Sequence, residues 1–244
     1  MNSHLPKILT MLIAVTCSMA ANAARLLIPM DISQHNHLKA YGITYMAIDG
    51  GAEAQWLLNY RGGSFMLAHN STIETECKIR NVSYKLISNA EADDLLAQIS
   101  SDNVNMDAVK LEKTPKVAVY SPKDKLPWDD AVTMALTYAE IPYTVIYDEE
   151  IINGELAQYD WLHLHHEDFT GQYGKFYAAY RNAGWYTSQV ENAEAEAARM
   201  GFSKVSKLKL YVALQIQNFV ANGGFLFAMC SATDPYDVAL AAAN

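Results

Sequence analysis

Between residues 115 and 234, short apolar runs alternate with segments of helical period, and this alternation restricts the fold more than any other feature. Lys116-Val117-Ala118-Val119-Tyr120 enters from Pro115 as a strand. Residues 143–147, 159–165 and the apolar run Phe225-Leu226-Phe227-Ala228-Met229 are three more strands. Helices are expected over 130–140, 172–181, 188–200 and 206–221, with another from Asp234. Asp129 is the expected cap of the first, Ile141-Pro142 closes it, and Asn222-Gly223-Gly224 stops the 206–221 helix. Strands alternating with helices pair parallel, through right-handed crossovers that put helices on both faces. The expected fold is α/β, with a doubly wound parallel sheet over 114–244. The sequence stops about two turns into the last helix, so this domain reads as incomplete and the chain as an N-terminal fragment.

A smaller α/β module is expected ahead of it, over 24–113, with the separation near 102–114. Its strands are read at 25–30, 54–60 and 82–87. A helix over 36–48 carries Leu38, Tyr41, Tyr45 and Ile48 at helical spacing, and a polar helix covers 71–80. Ser88-Asn89-Ala90-Glu91 is a capping box opening a helix through Ile99. Arg61-Gly62-Gly63-Ser64 reads as a glycine turn or as an anion cradle.

Residues 1–23 read as a secretory signal. Lys7 precedes an apolar stretch over 8–20, and Ala21-Asn22-Ala23 is a small-residue cleavage site ahead of Ala24. The expectation is cleavage after Ala23 and an exported protein, periplasmic or extracellular. The apolar stretch is too short for a permanent span, and no later segment is longer. A formal charge of −9 without any basic stripe excludes a nucleic-acid binder. At 51% hydrophobic and 18% charged residues, the chain has a core to bury and is not disordered. Beyond the signal only Cys77 and Cys230 remain, which is no disulfide framework.

Cys230 stands where the last apolar strand meets a helix, with Ala228 and Ala232 two residues to either side. A sharp strand-to-helix turn needs such small neighbours, and the helix N-terminus favours a thiolate. In this respect 115–244 resembles the class I glutamine amidotransferase-like superfamily, flavodoxin-like α/β domains whose nucleophile elbow reads Gly-x-Cys-x-Gly. Both glycines are alanine here. The resemblance implies a cysteine-dependent hydrolase or amidotransferase acting on a C–N bond, with Cys230 as nucleophile. The whole chain is also similar to exported bacterial proteins often labelled asparagine synthetase B, through Leu27-Ile28-Pro29-Met30-Asp31, His37-Leu38-Lys39-Ala40-Tyr41-Gly42, the 56–65 stretch and His163-Leu164-His165-His166-Glu167-Asp168-Phe169. The motifs do not support that label: the mature N-terminus lacks a cysteine, and there is no Ser-Gly-Gly-x-Asp phosphate loop.

The histidine cluster ends the third strand, beside the fourth in a doubly wound order, and ligands bind outside the carboxyl ends of such strands. His165 and His166 are candidate partners for the Cys230 thiol. The alternative is a divalent metal on His165, His166, Glu167 and Asp168, and a third reading is a set of hydrogen-bonded strand-end histidines. No other cofactor is implied. Tyr173, Phe176, Tyr177 and Tyr180, with Trp185-Tyr186 beyond, fall at helical spacing and read as a core face rather than a sugar platform. The rival to an enzyme is a non-catalytic domain of the same fold that binds a small molecule, glycan or protein.

Overall fold

The computed structural model describes residues 24–122, 130–165 and 176–243. The expected signal segment, His166, Glu167, Asp168, Trp128, Asp129 and Tyr173 lie outside the described residues. The chain builds two sheets.

The first comprises β1 (Ala24–Ile28), α1 (His37–Asp49), β2 (Ala54–Leu58), β3 (Ser64–Ala68), α2 (Ser71–Ile79), β4 (Lys85–Ser88), α3 (Asn89–Ile99) and β5 (Asp107–Leu111). Its strand order is β4-β1-β3-β2-β5, and every pairing is antiparallel. Strands pleat so that successive side chains face opposite ways. Leu26 and Ile28 accordingly join α1 and α2 in one core, while Leu27 joins α3 in another. The Ser88–Glu91 capping box forms as the sequence predicts. The glycine turn also forms: Gly62 has φ +81°, and a Cβ there would lie 2.4 Å from the Met30 carbonyl oxygen. Arg61 is paired with Asp31 at 2.7 Å, so it belongs to this turn.

Two strands correct the sequence reading. β3 is buried along almost its whole length and shows no alternation to read. β5 falls inside the stretch expected to separate the modules, because a short, largely exposed edge strand with Asp107 and Lys110 among its five residues looks like a linker.

The second sheet comprises β6 (Val117–Tyr120), α4 (Ala131–Ala139), β7 (Tyr143–Ile146), α5 (Asp148–Ile152), β8 (Trp161–Leu164), α6 (Tyr177–Tyr180), α7 (Gly184–Arg199), α8 (Val205–Ala221), β9 (Phe225–Ala228) and α9 (Thr233–Ala242). All its pairings are parallel, in the order β7-β6-β8-β9. Ala118, Tyr120, Ile146, Leu162 and Leu164 pack with Leu208, Val212 and Ile216 of α8 in its core. The protein is thus a mixed α/β chain with a four-stranded parallel and a five-stranded antiparallel sheet.

α1 and α4 join the two halves. Gly42 lets them approach so closely that an added Cβ would lie 1.7 Å from the Ala139 carbonyl oxygen. Around this contact Asn36 donates to the Tyr138 hydroxyl at 2.8 Å, and Arg80 and Lys39 both pair with Glu140. Among the described residues no helix is long and apolar enough to cross a membrane.

Candidate functional site at the carboxyl edge of the parallel sheet

Four parallel strands end along one edge, and the few residues just past each apolar run shape the loops there. After β9 the backbone runs extended through Met229 and then turns sharply. Cys230 has φ +56°, a left-handed conformation for a residue that is not glycine. Holding such a residue costs about 1–3 kcal/mol, and such strain clusters at functional sites. A short 3-10 turn over Cys230–Ala232 leads directly into α9. Ala232 is fully buried, which explains a small side chain there, and Ala228 packs against the core from the other side. The Thr233 hydroxyl donates to the Cys230 carbonyl at 2.8 Å and ties the turn to the helix. The thiol itself is exposed. A strained strand-to-helix turn that carries an exposed cysteine has the backbone geometry of an elbow.

Cys77 is its opposite. It lies buried in the N-terminal core and unbonded to Cys230. Burial, with Glu74 and Glu76 nearby, pushes its thiol up to about 12.

His165 comes directly after the last residue of β8 and is buried, its N–H donating to the Tyr120 carbonyl at 3.2 Å. Leu164 pairs with Ala228 in the register. His165 therefore stands one residue, and Cys230 two residues, past the paired ends of neighbouring strands. The other proposed metal ligands, His166, Glu167 and Asp168, lie outside the described residues. Among the described residues no group of three or more His, Cys, Asp or Glu is arranged to hold a metal ion.

The histidine that sequence reasoning passed over is His163. It is fully buried, and its ring lies 5.6 Å from that of Phe227. Its Nδ1 contacts the Phe227 carbonyl at 3.0 Å, and its Nε2 contacts Asp130 Oδ2 at 3.0 Å. A carbonyl only accepts, so a hydrogen bond to Phe227 has Nδ1 as its donor. Asp130, read from sequence as the first helical residue, is instead the cap of α4. Its side chain accepts from the N–H groups of Val132 and Thr133. One buried carboxylate thus ties the start of α4 to β8, through a histidine whose ring also contacts Phe227, three residues before Cys230. The pattern Asp-x-x-Thr before an apolar helix was a visible capping signal; its partner on β8 was not.

A second buried cluster sits behind the ends of β6 and β7. Lys209 Nζ from α8 donates to Asp148 at 2.6 Å, to the Tyr120 hydroxyl at 2.9 Å and to the Tyr147 hydroxyl at 3.0 Å. Burial works against the charge on Lys209, but Tyr147 and Asp148 outweigh it and its pKa is raised. Tyr120 is held neutral, first by burial and then by Asp148.

The aromatic run corrects another expectation. Tyr177, Tyr180 and Trp185 are exposed rather than buried, and only Tyr186 enters the interior among these. Phe176, Tyr180 and Trp185 form a ring cluster with centroids 5.3–5.9 Å apart.

Compared with known proteins, the chain matches no protein family, no curated protein and no solved structure, and its function is therefore read from this edge.

Proposed function

We propose that the protein is an exported cysteine-dependent hydrolase or amidotransferase-like enzyme that attacks a C–N bond, with Cys230 as nucleophile. The observation that carries this reading is the left-handed φ of +56° at an exposed cysteine between β9 and α9. The strand order β7-β6-β8-β9 supports a doubly wound, flavodoxin-like domain of the amidotransferase-like kind, in which substrates meet the carboxyl edge. In the reaction His165 or His166 takes the thiol proton as sulfur attacks the carbonyl carbon. The C–N bond breaks, the amine leaves with that proton, and an acyl-thioester remains on Cys230. Water then hydrolyses the thioester, releasing the acid and restoring the thiol.

The exposed rings of Tyr177, Tyr180 and Trp185 favour a second reading, a glycan-binding surface, because aromatic faces are suited to stacking on sugars.

Acyl transfer separates the two. Incubation with p-nitrophenyl acetate is expected to release a stoichiometric burst of nitrophenolate and leave an acetyl adduct on Cys230. Cys230→Ala should lose both. An adduct confined to lysines, or an unchanged burst in Cys230→Ala, overturns the nucleophile reading and moves the assignment to the ring surface.

A further inference from the structure

The same edge holds a polar group that the chain leaves unsatisfied. Ser121, immediately after β6, is fully buried, and its Oγ has no hydrogen-bond partner among the described residues. Most buried hydroxyls are bonded, and an unpaired one costs stability, so an exception needs an explanation. The position supplies one. β7 and β8 flank β6 on opposite sides, so the chain reverses its direction of travel across the sheet at β6. The crevice at such a switch point is where α/β sheets bind ligands.

The local backbone is already satisfied. Ser121 N–H donates to the Ile146 carbonyl at 3.1 Å, and His165 N–H donates to the Tyr120 carbonyl at 3.2 Å. Both bonds continue the ladder by one residue, so the pleat persists. It puts Ser121 on the face of Val119, and His165 on the face of His163. That is the side on which His163 meets Asp130 at the start of α4. The hydroxyl is therefore the group left over, at an edge whose neighbouring charges are already paired. Lys209 is bonded to Asp148, and His163 to Asp130. The Lys209–Asp148 pair lies on the Tyr120 face, and on the Ser121 face an anionic ligand group would face the Asp130 carboxylate. An uncharged carbonyl oxygen, able to accept from a hydroxyl, fits.

Resting on the nucleophile reading of Cys230, we propose that Ser121 is the second pole of the substrate site and binds a neutral carbonyl oxygen of the substrate. β8 separates β6 from β9, so two strand spacings lie between Ser121 and Cys230, about 10 Å. The substrate class is then an extended, uncharged, amide-like molecule, with the reacting carbonyl at one end and a second carbonyl at the other.

The test uses the whole protein and chloroacetyl amides of increasing length: chloroacetamide, then the chloroacetyl derivatives of glycinamide, β-alaninamide and 4-aminobutyramide. Alkylation of Cys230 is followed by peptide mass, and each rate is divided by the chloroacetamide rate of the same variant. One length is expected to exceed chloroacetamide by about tenfold, the worth of one hydrogen bond. Ser121→Ala should erase that optimum, and the free-acid analogue of the best probe should react more slowly than the amide. Ser121→Ala should also keep or raise the thermal midpoint, by about 2–4 °C, since it removes an unsatisfied group. A length profile unchanged in Ser121→Ala means that the hydroxyl holds only a buried water and overturns the proposal. A faster free acid overturns the neutral class, and a fall in thermal midpoint overturns the unpaired hydroxyl. If chloroacetamide labels Cys230 no faster than free cysteine, the nucleophile reading has failed instead. Ser121 is then judged on binding of the unreactive acetyl amides, where stabilisation that is the same in Ser121→Ala overturns it.

Discussion

Lys209→Met is expected to lower stability by about 3–5 kcal/mol, the cost of leaving a buried ion-pair partner uncompensated. Asp148 is 1% exposed, and the variant would leave its carboxylate with the Tyr120 hydroxyl but without the ammonium. For a chain of this size that corresponds to a fall of roughly 10 °C in thermal midpoint. Adding Asp148→Asn should recover more than half of the loss, because the pair is then removed as a unit. The pH dependence comes from the direction of the Lys209 shift. Its folded pKa is raised, so its contribution is fully present at neutral pH and is lost as pH rises through the folded value. A denaturant titration with a loss below about 1 kcal/mol would contradict the assignment of a charged pair. The consequence for the site is local: Tyr120 precedes Ser121, and Tyr147 and Asp148 come after β7 along the same edge.

Gly42→Val is expected to cost about 3 kcal/mol or more, by forcing apart backbones that now touch. An added Cβ at 1.7 Å from the Ala139 carbonyl oxygen has no rotamer to escape into, since the clash is with backbone. α1 and α4 would have to separate, straining Lys39–Glu140, Arg80–Glu140 and the Asn36–Tyr138 hydrogen bond. α4 is capped by Asp130, so the shift should reach His163 and be visible as a change in its ring signals by NMR. A Gly42→Val protein with an unchanged urea midpoint would show that the α1–α4 contact does not hold the two halves.

The parallel strands are legible in the sequence because each is a short apolar run ending at a turn signal, as in Phe225 to Met229 after Gly223-Gly224. The sharp turn at Cys230 is legible because Ala228 and Ala232 are small on either side of it. β3 and β5 are not, since one is buried without alternation and the other is a largely exposed edge strand in which Asp107 and Lys110 interrupt the apolar residues. Tyr177, Tyr180 and Trp185 mislead because helical spacing gives the face of a helix, not what covers it. The buried pairs escape for another reason. Asp130 with His163, and Asp148 with Lys209, join residues 33 and 61 positions apart, and local pattern carries no record of such distances.

The most direct test of the account is alkylation of the folded protein by iodoacetamide at neutral pH, resolved by peptide mass. Cys230 should react faster than free cysteine, and His165→Ala should slow it. Cys77, buried and with its thiol pushed up to about 12, should stay unmodified until denaturant is added, at least about a hundredfold slower. Cys230 reacting no faster than free cysteine, or only on unfolding together with Cys77, would contradict an elbow nucleophile at this edge.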